Sequence, residues 1–134
     1  MQVQAYLFFE GRCEEALEFY RQALDAQVDM LMRFKESPEA PPPGAVALGS
    51  EDKVMHASFR VGDSTLMASD GGCSGRSGFQ GVTLSLNLAD AGEAERRFAA
   101  LAEGARCRCL WAPPSGPPPS ACWSTASGSR GWST

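Results

Sequence analysis

One pattern of strand, loop and helix occurs twice in this chain, at Val3 to Leu24 and again at Val82 to Glu103. Glu15-Ala16 and Tyr20 in the first copy fall on Glu93-Ala94 and Phe98 in the second, at a constant offset of 78 positions. A chain of 134 residues has surface enough to bury one core but not two independent ones. The copies therefore read as two modules of a single domain spanning 1–134, with a first module over 1–70, a linker over 71–81 and a second module over 82–134.

The first copy supplies the plan. Val3 to Phe9 is a short aromatic-rich run that reads as a buried strand, ended by Glu10-Gly11. Cys13, Ala16, Leu17, Tyr20, Ala23 and Leu24 draw one apolar stripe at helical spacing, with acids leading and Arg21 trailing as the helix dipole prefers. Val28, Met30, Met32 and Phe34 alternate with polar or smaller neighbours and predict a second strand with one strongly apolar face. A long loop from Lys35 to Asp52 carries Pro41-Pro42-Pro43-Gly44. In the next strand, Met55, Ala57, Phe59 and Val61 share one face, and Val54, His56, Ser58 and Arg60 share the other. Gly62-Asp63 turns it into Ser64 to Ser69 as a hairpin. The result is βαβββ. Asp70 to Ser77, with three glycines in eight residues, reads as a flexible connector; it lacks the Gly-Lys-Ser/Thr ending of a phosphate loop.

The second copy starts the same way. Val82, Leu84, Leu86 and Leu88 alternate as a strand, Asp90 with Glu93 makes a capping box, and Gly104 suits a left-handed helix end. Composition then breaks near Arg106. Arg106 to Thr134 holds all three Trp and five of the nine Pro, but no acid and no Val, Ile, Phe, Tyr or Met. It shows neither strand nor helix periodicity. Back-translated with permitted codon choices and read from the third base of each codon, the same stretch can be written as an apolar strand, a turn and a second strand. A shifted reading frame over 105–134 is the favoured account of the break and a genuinely divergent tail the alternative; on the first, strands are expected through much of that stretch despite its Pro and Ser content. Sequencing the gene across the codons for Leu101 to Arg108 tests this.

Twelve basic against sixteen acidic residues give a net charge of −4, which repels phosphate backbones and anionic lipid. Nucleic acid and membranes are not expected partners. No apolar run is long enough for a membrane span, and Met1 to Glu10 lacks a secretory pattern, so a cytoplasmic location is expected. Five cysteines, an odd number, read as free thiols. Cys107 and Cys109 are too closely spaced for a zinc knuckle, and Cys13 beside Glu14 and Glu15 is not expected to be a nucleophile. Met30, Met32, Met55 and Met67 are expected to fill gaps in the core.

Ala5-Tyr6-Leu7-Phe8-Phe9, Gly11, Glu15 to Tyr20, Val54-Met55-His56-Ala57 and Gly62 to Asp70 together resemble the PhnB-like (YjdN-like) branch of the vicinal oxygen chelate superfamily, which takes in glyoxalases, bleomycin-resistance proteins and dioxygenases. The resemblance covers most of residues 1–104. It implies an α+β fold in which paired βαβββ modules form a curved mixed sheet around a cleft with helices outside, and a homodimer. It also implies a small-molecule ligand held in the cleft, as in the bleomycin-resistance proteins. The enzymes of the superfamily add a different prospect, a divalent metal used in lyase, isomerase or dioxygenase chemistry on a small oxygenated substrate. The branch carries a demethylubiquinone methyltransferase label, but no Gly-rich methyl-donor motif follows a parallel strand here.

His56, the chain's one histidine, lies where the resemblance puts a cleft-facing metal ligand. The resemblance puts a first-strand ligand near Gln4 or Ala5, and the position of the last falls in the altered tail. Ser58 and Arg60 share the His56 face, offering a hydroxyl and a cation to a small anion or carboxylate, with Arg60 paired to a neighbouring carboxylate as the other reading. Gln4, Tyr6, His56, Ser58 and Arg60 are thus the candidate ligand-binding residues, with His56 as the candidate metal ligand.

Overall fold

The computed structural model describes residues 1–74, 84–104, 110–111 and 120–123. Its elements run β1 (Tyr6–Phe8), α1 (Cys13–Leu24), β2 (Gln27–Arg33), β3 (Val54–Val61), β4 (Ser64–Ser69), β5 (Leu84–Asn87), α2 (Ala91–Gly104), β6 (Leu110–Trp111) and β7 (Ser120–Trp123). They fall into two compact units, Met1–Ser77 and Gly78–Thr134. The class is α+β.

In the first unit the sheet order is β1-β4-β3-β2, with β1 parallel to β4 and the other pairs antiparallel. This is the βαβββ plan. Helix α1 buries the stripe expected of it, Cys13, Ala16, Leu17, Tyr20, Ala23 and Leu24. It lies on the sheet face that carries Leu7, Ala57, Phe59 and Ala68, all buried, and Tyr20 stacks on Phe59 with ring centroids 5.8 Å apart. Asp25 ends the helix in the left-handed region at φ 53°, its N–H bonded back to Tyr20 O. Asp tolerates that region better than most residues. Val61 pairs with Ser64, so Gly62-Asp63 is the two-residue hairpin loop, with Gly62 at φ +57°.

Several expectations are corrected here. Strand β1 is only three residues long, and of these only Leu7 is buried, because alternation turns Tyr6 and Phe8 to the face opposite α1. Strand β2 does not keep one apolar face. An irregularity at Asp29 lets Val28 pair with Phe59 while Met30 and Met32 pair with Ser58 and His56, so the two methionines move to the His56 side. None of the four methionines expected in the core is buried, and Met30 is 43% exposed. Val54, expected beside His56, is wholly buried where β3 begins, at a second irregularity opposite Arg33.

Asp70, read above as part of a connector, is 1% exposed and holds three backbone groups. Its Oδ1 accepts the N–H of Gly11 (3.0 Å) and of Cys13 (2.6 Å), and its Oδ2 accepts the N–H of Val54 (2.7 Å). The carboxylate at the end of β4 therefore caps α1 and fastens β3 at once. The long loop is tied down as well: Lys35 N–H bonds to Glu51 O and Ala47 N–H to Gly72 O.

In the second unit β5, β7 and β6 form an antiparallel sheet in that order. Two stretches of the compositionally odd tail thus run as strands, although their residue pattern showed none; the rest of 105–134 lies outside the described residues. Leu84 and Leu86 are less exposed than Ser85 and Asn87, the alternation expected. Helix α2 buries Ala94 and Leu101, and Asp90 Oδ2 accepts the N–H of Glu93 at 2.7 Å. No helix among the described residues is long and apolar enough to cross a membrane.

Candidate functional site

Register decides which side chains share the face of the first-unit sheet that α1 does not cover. Directly paired residues point the same way, and pointing alternates along each strand. The pairs Met32 with His56, Met30 with Ser58, Ser58 with Met67 and Met67 with Tyr6 therefore put these residues on one face, joined by Phe8 and its partner Ser69. Tyr6 (37% exposed), Phe8 (50%) and Met30 are large apolar or amphipathic groups left open on it.

The centre of this face is built. The Tyr6 hydroxyl lies 2.8 Å from His56 Nδ1, and the two rings are tilted at 5.5 Å. Phe8 stacks on Tyr6 from the other side, centroids 4.8 Å apart. Gly71, at φ +55°, passes under both Phe8 and Glu10. A Cβ there would fall 2.5 Å from Glu10 Oε1 and 3.3 Å from the Phe8 ring. Gly71 N–H donates to Ser69 Oγ at 2.9 Å, and the Ser69 hydroxyl faces Val54 O at 3.4 Å. Burial pushes the Tyr6 phenol above its ordinary value, the nearby Ser69 hydroxyl opposing the rise, so the phenol keeps its proton at neutral pH.

Of the candidate residues, the structure brings Tyr6 and His56 into contact and sets Ser58 next along the same face. Gln4, half-buried, precedes β1. Arg60 lies further down β3, where its Nε donates to both carboxylate oxygens of Asp29 (2.9 and 3.1 Å) and a terminal guanidinium nitrogen donates to Gln27 Oε1. Its charge is thereby matched by a neighbour. Phe8, Met30, Met67 and Ser69 were absent from the candidate set. A signal for two of them was present, since Phe8 has the parity of Tyr6, and Met67 that of Thr65 and Ser69.

A divalent metal needs more donors than this face offers. Around His56 stand a phenol, hydroxyls and thioethers. Among the described residues no three His, Cys, Asp or Glu side chains are grouped to hold an ion. The described residues do not fit a metal site. Cys13 is no nucleophile either: burial first, then the carboxylates of Asp70 and Glu14, push its thiol up to about 12.

The βαβββ unit with an open, aromatic-lined sheet face is the architecture of the glyoxalase/bleomycin-resistance fold, and comparison with known proteins agrees. The family model described as 3-demethylubiquinone-9 3-methyltransferase matches residues 1–122. Protein YjdN of Escherichia coli (strain K12) is 29% identical over 116 residues, covering 83% of this chain and 79% of that one. The crystal structure of protein PA1353 from Pseudomonas aeruginosa superimposes with a TM-score of 0.73 at 34% identity, covering 93% of this chain and 90% of that one. A PhnB protein from Bacillus cereus, described as a putative 3-demethylubiquinone-9 3-methyltransferase, shares the fold at a TM-score of 0.55 and 23% identity, over 87% and 84% of the two chains. The chain belongs to this PhnB-like family of the glyoxalase/bleomycin-resistance (vicinal oxygen chelate) fold.

Proposed function

We propose that the face centred on Tyr6 and His56 binds a small, largely apolar organic molecule. The observation that carries this reading is the hydrogen-bonded Tyr6–His56 pair set among exposed Phe8 and Met30: apolar area for affinity, with a few placed polar groups for orientation. The methyl transfer in the family's description draws no support from the β1–α1 connection. Its one glycine is Gly11, and the N–H groups at the start of α1 that would greet an anionic cofactor are taken by Asp70. The same reading includes a second copy of the chain, since β1 and β2 are edge strands of the first-unit sheet, and a cytoplasmic location suited to free thiols such as Cys13 and Cys73.

Methionine methyl NMR tests the site. The chain has five methionines. Titration with a set of aromatic fragments is expected to move the signals of Met30, Met32 and Met67, leaving Met55, on the α1 side of β3, in place. Shifts confined to Met55, or no shifts with any fragment, overturn the reading. Sedimentation showing only monomer at micromolar concentration overturns the dimer.

A further inference from the structure

We infer that the loop between β2 and β3 supplies a wall of the ligand site, Val46 and Leu48 folding over the Phe8 end of the open sheet face when a molecule occupies it. This rests on the small-molecule reading of the face and names two further residues of the same site. Three close approaches place the loop. Gly71 runs against Phe8, since a Cβ there would fall 3.3 Å from the Phe8 ring. The next residue, Gly72, meets the loop: its carbonyl accepts the Ala47 N–H at 3.1 Å, and a Cβ on it would fall 3.4 Å from Ala45 O. One residue step along the chain, about 3.8 Å, therefore links the residue against Phe8 to the residue against 45–47.

Composition and exposure say what the loop brings there. Ala45-Val46-Ala47-Leu48 is an uninterrupted apolar run in a loop otherwise rich in Pro, Gly and acids, and Leu48 is fully exposed at 103%. A lone exposed leucine is ordinary. This one ends an apolar run beside a second apolar surface, the stacked pair of Phe8 and Tyr6. A flat molecule lying on Phe8 leaves its outer side to water, and Val46 and Leu48 can cover it. The backbone permits the movement: Gly44 (φ +82°) and Gly49 (φ +79°) flank the run in the left-handed region, and at neither would a Cβ meet a described atom within 4 Å. Between these two hinges the run is held by the Ala47 bond to Gly72, a pivot. The base of the loop stays closed, Lys35 N–H bonding to Glu51 O, so movement is confined to the apolar run.

The experiment titrates the full chain with 2-naphthol, a flat apolar probe, and follows the methionine methyl signals. Leu48→Ser is expected to leave the melting temperature unchanged, because that side chain already lies in water, and to weaken 2-naphthol binding about four- to twelvefold, the worth of burying roughly half a leucine. Leu48→Met keeps the apolar cover and is expected to bind as the parent chain does. The methyl signal that Leu48→Met adds is expected to shift on titration together with those of Met30, Met32 and Met67. Unchanged affinity in Leu48→Ser, a lowered melting temperature in that variant, or a stationary added signal in Leu48→Met, each with Met30 still responding, overturns this inference and leaves the small-molecule site standing. So does failure of 2-naphthol to move Met30, Met32 or Met67 where other fragments do. Failure of every fragment to move them overturns both.

Discussion

The two helices occupy equivalent places in the repeat but are started by opposite means. Helix α2 begins on its own neighbour: Asp90, one residue ahead of it, accepts the Glu93 N–H. At the start of α1 stands Arg12, which gives no side-chain cap; the carboxylate comes from Asp70, 57 positions beyond Cys13, and also holds β3 through Val54. One helix is thus begun by local sequence and the other by completion of the sheet. The lesson is that a repeat can preserve a shape while moving the group that stabilises it.

Removing the distant cap breaks this contrast hardest. Asp70→Ala strands three backbone N–H groups in or near the core, at roughly 1 to 3 kcal/mol each, so a loss of about 3 to 5 kcal/mol is expected in urea denaturation of the full chain. That is a large share of what a domain of this size possesses. Asp70→Asn, which keeps an acceptor, should lose less. A cost for Asp70→Ala no greater than for Asp90→Ala would show that α1 does not depend on its remote cap.

Next comes the contact that seats α1 on the sheet. Phe59 is 1% exposed beneath Tyr20, and Phe59→Ala is expected to cost about 3 to 5 kcal/mol. Phe8→Ala, on the open face, should cost about 0.5 kcal/mol or less and register instead as weaker fragment binding. Equal destabilisation by the two would mean that both sheet faces are structural. Asp90→Ala removes a local cap from α2 and should cost about 1 kcal/mol.

The smallest effect is a pH dependence at the first turn of α1. The hydrogen bond from Arg33 holds the Glu14 carboxyl below its ordinary 4.5, against slight burial, with the charges of Arg33 and Lys53 helping. A carboxyl depressed in the folded state stabilises at pH above its unfolded value, and that contribution is lost as pH falls through the folded value. Glu14→Gln should therefore lower the melting temperature slightly at pH 7 and not at pH 3. A difference that grows on acidification would reverse the sign of this coupling.

Much of the frame could be read in advance where one element states its own rule. The stripe from Cys13 to Leu24 matches α1 end for end, because helical spacing writes the buried face into consecutive turns. The Gly62-Asp63 hairpin and the Asp90 cap are equally local. Of the site, His56 and Tyr6 were identified singly, but their contact across 50 residues was not, since it depends on β1 running parallel to β4 in a register that pairs Tyr6 with Met67.

Short-range chemistry alone therefore determined the order of elements, the face of α1 that is buried, and the hairpin. Only the tertiary structure decided where the methionines point, since the irregularity at Asp29 reverses the parity of β2. It also turned Asp70 from a connector residue into a buried cap and joined Tyr6 to His56. The physical reason is common to all three. Side-chain direction in a strand has a period of two, so a single unpaired residue or a choice of partner register moves a group from one face to the other, and neither is encoded in the residues that move.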